Sequence, residues 1–447
     1  MSNIESTPAT SVLARARTNA LRRFPSPEKD GERLYPLASP SCSPTFEISR
    51  DETIFAIGSC FARNIERALD GAGMRVLSRE FDLGQIGESL DDAANFFNKY
   101  SIHSVLNEIT WALERDKFPG EEILYPGPKG TWFDAQLGMA RLDFSPEEIL
   151  AFRHRYLDAM KAVVEADVVI LTLGYVETWY DRKLGLYTNV MPPMQAIKAE
   201  PERFDFRVLS YRDVLEGLEA LHALLTRYRT KPLKMLVTVS PVPLLATFRD
   251  MDVLVANAYS KSVQRAALDE FLIGKEGVDY FPSYEFVTLS APEVAWTRND
   301  YRHVAPELVD RIMSNVLTRY LPGAAEEGAD PGAVTGEGLI SSAKMLSRLE
   351  KYQDILALME GNRALADASA EALILEATAA RRVDALETAW TALAKATEID
   401  PSRPDALERM ITLCRPLRRP DEARALMDRH SAAFPDRADF RERVTWL

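Results

Sequence analysis

Cysteine is scarce in this sequence of 447 residues. The three cysteines, Cys42, Cys60 and Cys414, lie far apart and form no C-x-x-C pair. Zinc sites and disulfide frameworks both need cysteines at close, repeated spacings, so the sequence indicates neither kind of site. A reducing cytoplasm is therefore the expected compartment, and no metal site is expected.

Long hydrophobic runs and an excess of positive charge are also missing. No apolar stretch approaches the ~20 residues of a membrane-spanning helix, and residues 1–23 lack the apolar centre of a secretory signal. Lysine and arginine number 54 against 67 aspartate and glutamate residues, which gives a net charge of −13. The sequence thus predicts no transmembrane segment, and the acidic balance argues against a broad nucleic-acid surface.

Composition divides the chain into four parts. Residues 1–45 are rich in Ser, Thr, Pro and Arg, which predicts an extended N-terminal arm. From Thr53, short apolar strands alternate with amphipathic helices, which predicts an α/β domain over residues 46–321. Residues 322–338 have the composition of a linker, and residues 339–447 show helical periodicity without a strand-like run. The fold class expected is therefore α/β followed by an all-α domain.

An internal repeat marks the last part of the chain. Ile399-Asp400-Pro401 recurs 34 residues later as Ala433-Phe434-Pro435, and Ala389 and Ala423 fall in register. This region resembles the tetratricopeptide family, which implies a groove for a peptide or a protein partner. A helical cap or a dimerisation element is the equally open alternative.

Three strand ends are expected to meet at one edge of a sheet. The near-continuous apolar runs 167–173 and 234–240 indicate parallel strands buried on both faces, and the run 53–57 precedes Gly58. Because ligands bind beyond the carboxyl ends of such strands, Ser59, Gly174 and Ser240 should share an edge. Residues 278–281 predict a further strand.

The Gly58-Ser59 turn has two interpretations. Gly58 tolerates a strained backbone, so that Ser59 can present its hydroxyl where a helix begins and where free N–H groups can stabilise an oxyanion. Ser59 is equally suited to cap that helix. Cys60 is a rival nucleophile, but neighbouring residues of a tight turn point apart, so Cys60 is expected to be a packing residue.

The string Gly58-Ser59-Cys60-Phe61-Ala62 resembles the signature that names the GSCFA family, a branch of the SGNH (GDSL-like) hydrolase superfamily. The resemblance implies an SGNH-like three-layer sandwich with a parallel sheet, serine chemistry on ester bonds and no cofactor. Further matches follow in the same order over roughly residues 50–320: Asn98-Lys99-Tyr100-Ser101, Leu171-Thr172-Leu173-Gly174, Glu177-Thr178-Trp179, Thr238 to Pro243, Tyr259-Ser260-Lys261-Ser262, Tyr280 to Glu285 and Asp300-Tyr301-Arg302.

The resemblance also implies a base for Ser59. Asp300 and His303 have the D-x-x-H spacing that SGNH enzymes place before their last helix, with the aspartate orienting the imidazole. In many GSCFA proteins, however, a separate Asp-x-x-His follows the Asp-Tyr-Arg string and would fall here near Glu307 and Asp310. His303 is therefore either the base or a bystander.

The oxyanion donors implied by the resemblance are the backbone N–H of Ser59, the backbone of Gly174 and the side-chain amide of Asn98. Glu177 stands where an asparagine is expected. Because a carboxylate repels an oxyanion, Glu177 should point elsewhere, be protonated, bind a substrate cation or hydroxyl, or act as a base itself.

Three functions remain open. The first is a serine esterase that removes acyl groups from a carbohydrate or cell-envelope precursor. The second transfers the acyl group to a sugar hydroxyl, with Trp179, Tyr180 and Trp296 as stacking surfaces. The third is a catalytically degenerate binding or scaffold protein that acts through its repeats. The partners expected are a small molecule or glycan, and a protein at the repeats.

Overall fold

Two compact units make up the chain. The computed structural model describes residues 6–82, 98–137, 141–142, 144–297, 300–320, 336–348 and 350–446. Contacts group Met1–Val304 with Asn315–Ala324 into one unit, and Ala305–Ser314 with Ala325–Leu447 into the other. The first unit is α/β and the second is helical. The predicted linker falls largely on residues outside the described ranges, but its last three residues already belong to a helix that starts at Gly336.

The strands of the described residues are all in the α/β unit: β1 (Ile54–Gly58), β2 (Leu124–Pro126), β3 (Trp132–Asp134), β4 (Arg141–Leu142), β5 (Val168–Leu173), β6 (Glu177–Asp181), β7 (Leu186–Thr188), β8 (Phe204–Val208), β9 (Lys234–Val239) and β10 (Val278–Tyr280). The helices described up to residue 320 are α1 (Ala9–Thr18), α2 (Cys60–Gly71), α3 (Ile102–Leu113), α4 (Pro146–Met160), α5 (Ala162–Glu165), α6 (Met194–Ala199), α7 (Tyr211–Tyr228), α8 (Val253–Phe271), α9 (Ser283–Thr288), α10 (Pro292–Ala295) and α11 (Pro306–Tyr320).

A parallel sheet in the order β1-β5-β9-β10 is the centre of the α/β unit. Every residue of β1 and β5 is buried, as the predominance of Val, Ile and Leu in these runs requires. The register pairs Gly58 with Thr172 and Leu173 with Val239, so the carboxyl ends of these strands are level. The mixed α/β class and the four parallel strands predicted from the sequence are confirmed.

Two small antiparallel sheets accompany the parallel one, in the orders β2-β3-β4 and β7-β6-β8. The sequence analysis did not predict them. Glu177 is the first residue of β6 and pairs with Val208, so the β6 ribbon begins only four residues after β5 ends at Leu173. It therefore extends the unit on the side where the parallel strands end.

The N-terminal arm is not uniformly extended, in contrast to the expectation for residues 1–45. Helix α1 forms because the segment contains good helix formers such as Ala, Leu and Arg, but none of its residues is buried. Further along, Thr45 donates from its backbone N–H and its hydroxyl to the Asp279 carboxylate of β10, at 2.9 and 2.7 Å. The end of the arm is thus fixed to the sheet.

The helical unit repeats with a constant step. It contains α12 (Gly336–Arg348), α13 (Tyr352–Gly361), α14 (Arg363–Ala366), α15 (Ala370–Arg382), α16 (Leu386–Ile399), α17 (Pro404–Leu417), α18 (Pro420–Ala433) and α19 (Ala438–Arg443). Helices start at 336, 370, 404 and 438, and a second series starts at 352, 386 and 420, so each start follows the previous one by 34 residues. Ala389 and Ala423 occupy equivalent, buried positions. None of the helices in the described ranges is long and apolar enough to cross a membrane.

Candidate active site

The β1–α2 turn is built on a glycine that has no room for a side chain. Gly58 has a φ of +133°, which L-residues with a side chain rarely adopt. A Cβ atom at this position would lie 2.1 Å from the carbonyl oxygen of Thr172 on the neighbouring strand. The close approach of β1 and β5 therefore requires glycine immediately before Ser59.

Ser59 caps helix α2 and is buried at the edge of the sheet. Its Oγ accepts a hydrogen bond from the Phe61 N–H at 3.4 Å and lies 3.1 Å from Oγ1 of Thr172. Only 2% of the residue is exposed. The capping interaction that the sequence allowed is therefore present, and Thr172 is a partner that no local pattern around Ser59 indicated.

Two of the predicted oxyanion donors are already engaged. The Ser59 N–H donates to the Thr172 carbonyl at 3.0 Å as part of the β1–β5 ladder. The Gly174 N–H donates to the Tyr100 carbonyl at 3.1 Å. Asn98, the third candidate, is fully buried, and its backbone carbonyl accepts a hydrogen bond from the Asn189 side chain. In this conformation neither backbone N–H is aimed at an open site, which differs from the roles expected for them.

The segment 98–100 ties the turn to the exit of β5. The Lys99 N–H donates to the Gly58 carbonyl at 2.7 Å, and the Tyr100 carbonyl accepts from both Gly174 and Tyr175. Asn189 holds the same segment by donating to the carbonyl of residue 98 and by accepting from the Tyr100 N–H. A side chain at Gly174 would collide with the Tyr100 carbonyl at 2.6 Å.

Lys261 joins the loops that follow β5 and β9. Its buried ammonium donates to the carbonyls of Gly174 and Val242 at 2.7 and 2.9 Å. Burial lowers the pKa of Lys261 to about 7, against the opposing effect of Cys60. Ser240, at the end of β9, is fully buried; its N–H donates to Leu173, and its Oγ accepts from the N–H of Val242. Ser59, Gly174 and Ser240 are thus brought to one edge.

Asp300 and His303 form the pair that their spacing suggested. Nδ1 of His303 lies 2.5 Å from Oδ2 of Asp300, while Oδ1 accepts from the N–H groups of Arg302 and His303. These hydrogen bonds hold the pKa of Asp300 well below its ordinary value. Both side chains are exposed, 67% for His303. Among the described residues, the side-chain hydrogen bonds of His303 and Ser59 do not join the two.

Glu177 is turned toward the loop after β9. Oε1 accepts from the Thr247 hydroxyl at 2.7 Å, and Oε2 accepts from the Phe248 N–H at 3.2 Å. Only 7% of Glu177 is exposed. Of the roles considered, the one in which this carboxylate points elsewhere matches the geometry, because two protein donors occupy its oxygens.

Cations lie near the half-buried Cys60 thiol. Burial raises the pKa of Cys60, while Lys261 and Arg302 act in the opposite direction. Arg302 also opposes the effect of burial, which raises the pKa of the Tyr175 phenol. Arg302 belongs to the Asp-Tyr-Arg string of the sequence, but nothing in the string predicted that its side chain would reach this turn.

A fully buried group of charges was not predicted. Arg153 binds Glu108 with two hydrogen bonds of 3.1 and 3.0 Å and lies 3.2 Å from Asp134. The Lys99 ammonium is 4.0 Å from Glu108, and burial lowers the pKa of Lys99 to about 8. Since the Lys99 backbone bonds Gly58, this group lies directly behind the turn.

Two of the aromatic residues considered for sugar stacking are used in packing. The Trp179 ring packs against Phe206 and Phe248, with centroids 5.5 and 5.3 Å away. The Tyr180 ring lies beneath the Arg207 guanidinium, 3.5 Å from its centroid. Trp296 makes a β-bridge with Val304, which closes the loop that carries Asp300 and His303.

Comparison with known proteins gives one match. The family described as GSCFA family matches residues 53–316, which is more than half of the chain. No curated protein and no solved structure matches. The matched residues include the β1–α2 turn, the parallel sheet and the Asp300–His303 loop.

Proposed function

The chain belongs to the GSCFA family, and from this premise we propose that it is a serine hydrolase of the SGNH type that removes an acyl group from a carbohydrate or related precursor. The observation that carries the proposal is the position of Ser59. It follows a positive-φ glycine at the carboxyl edge of a parallel sheet and precedes a helix of 12 residues. A nucleophilic serine needs this kind of turn, at which the positive end of a helix dipole can stabilise an oxyanion.

In the proposed reaction, the Ser59 Oγ attacks the ester carbonyl and His303 receives the hydroxyl proton. The bond to the alcohol oxygen then breaks, and the alcohol leaves with that proton, so that the acyl group remains esterified to Ser59. Water, activated by His303, releases the acyl group and restores the serine. Asp300 orients the imidazole through the 2.5 Å contact.

The reaction requires the Ser59 hydroxyl to exchange its Thr172 partner for His303. The two hydrogen-bonding contacts of Ser59 Oγ, at 3.1 and 3.4 Å, therefore correspond to a resting arrangement in this proposal. Rotation of a serine side chain about χ1 is a fast event, and catalytic hydrogen bonds often form only when substrate is bound.

Labelling with a fluorophosphonate probe tests the nucleophile. We expect the native protein to be labelled and Ser59→Ala and His303→Ala to lose labelling, because the first removes the attacking oxygen and the second removes its base. Ser262→Ala and His154→Ala, which change exposed residues outside the site, are the matched controls and should be labelled like the native protein. A folded native protein that is not labelled, or a labelled Ser59→Ala variant, would contradict the proposal.

A binding or scaffold function is the second candidate. It is favoured by the exposure of His303 and by the engagement of the Ser59 and Gly174 N–H groups. Transfer of the acyl group to a sugar hydroxyl uses the same acyl-enzyme and differs only in the acceptor. Adding sugars to a labelling-competent protein and following the acyl group by mass spectrometry distinguishes transfer from hydrolysis.

For the second unit, we propose a tetratricopeptide-like array that binds a protein partner. The 34-residue step of its helices supports this assignment. An SGNH-like sandwich for residues 46–321 and a separate helical domain for residues 339–447 are part of the same proposal. A cytoplasmic location accords with the three free thiols.

A further inference from the structure

Positive charge is concentrated at the Ser59–Cys60 turn, although the chain as a whole carries a net charge of −13. Lys261 is fixed beside the turn by its hydrogen bonds to two carbonyls. Arg302 reaches the turn from the Asp300–His303 loop, and both cations favour the ionised form of the Cys60 thiol. The turn is therefore an electropositive site on an acidic protein.

The Arg302 guanidinium lacks an acceptor among the described residues. No ion pair or side-chain hydrogen bond of Arg302 occurs in the part of the chain that the structure describes, and its Nε is buried without a hydrogen-bond partner. The buried N–H of a cation is costly to leave unsatisfied, by about 1–3 kcal/mol or more. A partner supplied by a ligand would remove that cost.

The nearby carboxylates do not serve as this partner. Asp300 lies two residues away, but its oxygens accept from His303, Thr297 and backbone N–H groups. Glu177 is held by Thr247 and Phe248. Each carboxylate is thus committed to other donors, and the Arg302 side chain remains available next to the proposed nucleophile.

We propose that Arg302 binds an anionic group of the substrate, a carboxylate or a phosphate, beside the ester that Ser59 attacks. The inference rests on the proposed function and narrows its substrate class to acyl esters of acidic or phosphorylated carbohydrates. A guanidinium presents two parallel N–H donors that match the oxygens of either anion. Lys261 contributes its charge to the local potential but not a direct contact, because its donors are bonded to carbonyls.

Calorimetric titration of the full chain with inorganic phosphate and with glucuronate tests the site. We expect at least one of the two anions to bind, and Arg302→Gln to weaken that binding by about tenfold or more, since charged hydrogen bonds contribute about 1.5–3 kcal/mol. Arg302→Lys should lie between the two. Arg67→Gln, which removes an exposed arginine of α2, is the matched control and should bind like the native protein.

The relative affinity of the two anions distinguishes a phosphate site from a carboxylate site, and Arg302-dependent binding of either supports the proposal. Absence of binding to the native protein would overturn it. An equal loss in Arg67→Gln and Arg302→Gln would also overturn it, because the attraction would then come from bulk charge. Thermal unfolding of each variant shows whether the fold is retained, and Arg302→Lys covers the case in which Arg302→Gln is unfolded.

Fluorophosphonate labelling of the same variants separates this inference from the proposed function. The anion that binds should slow Ser59 labelling of the native protein and leave the labelling rate of Arg302→Gln unchanged. Arg302-dependent binding without any Ser59 labelling would leave an anion site and reject the hydrolase. Normal labelling that neither anion slows would reject the anion site and leave the hydrolase.

Discussion

Residue 58 shows how one backbone position fixes the candidate site. Its φ of +133° disfavours any side chain, and so does the 2.1 Å that would separate a Cβ atom here from the Thr172 carbonyl oxygen. We expect Gly58→Ala to lower the free energy of unfolding by about 3 kcal/mol or more, because it combines strained backbone with a steric clash between strands. Urea denaturation followed by circular dichroism measures the change.

Gly71 provides the matched control for that substitution. It ends α2, has a φ in the ordinary range and would present a Cβ to open space. Gly71→Ala should therefore leave stability within about 1 kcal/mol of the native value or raise it. Equal stability of the Gly58 and Gly71 variants would show that the turn can relax away from β5.

The loops that leave β5 and β9 behave as one element because Lys261 bonds both. Its pKa of about 7 in the folded protein lies below the ordinary value of 10.5, so between these two pH values the unfolded chain binds more protons. The stability of the native protein relative to Lys261→Met should then rise with pH, by about 2 kcal/mol between pH 7 and pH 9.

Urea unfolding of both proteins at the two pH values measures this difference. Lys198→Met, which alters an exposed lysine of α6, should show no comparable pH dependence relative to the native protein. A stability difference between native protein and Lys261→Met that stays constant from pH 7 to pH 9 would mean that Lys261 remains protonated while buried.

The elements that sequence could predict are those with uniform surroundings. Strands β1, β5 and β9 are buried along nearly their whole length and therefore appear as continuous apolar runs. Strand β6 has the sequence Glu-Thr-Trp-Tyr-Asp, in which polar residues flank aromatic ones, and it pairs with β8, which lies beyond an intervening strand and helix. Its existence depends on that distant partner, so a local pattern did not indicate it.

The same distinction applies to the candidate site. The Gly58-Ser59 turn and the Asp300–His303 contact follow from residues close together in the chain. The partners of the Ser59 and Gly174 N–H groups are carbonyls supplied by Thr172 and Tyr100, which only the folded chain brings near. Arg302 was visible in the sequence, but its lack of an acceptor among the described residues depends on how Asp300 and Glu177 are used.

At the scale of the whole molecule, the 34-residue step also applies to backbone conformation. Glu350, Asp384 and Arg418 each have a φ near +60° and are separated by 34 residues. Arg418 follows the last turn of α17 in the left-handed conformation, which glycine adopts without cost. We expect Arg418→Gly to stabilise the surrounding helices by up to about 1 kcal/mol.

Hydrogen exchange of residues 404–433 in the full chain measures this local stability. Arg415→Gly is the matched control, because it places glycine inside α17, where it should destabilise by about 1 kcal/mol. If both glycine variants accelerated exchange, the bend after α17 would owe its shape to the arginine side chain rather than to the backbone.

The hydrogen bonds of residues 98–100 have a consequence for how the α/β unit comes apart. These three residues bond the Gly58 carbonyl, the N–H groups after β5 and both ends of the Asn189 amide. Releasing any one of the segments breaks bonds that also restrain the others. The β1 turn, the β5 exit and the loop around residue 189 should therefore open as one cooperative unit, with a shared opening free energy instead of three independent ones.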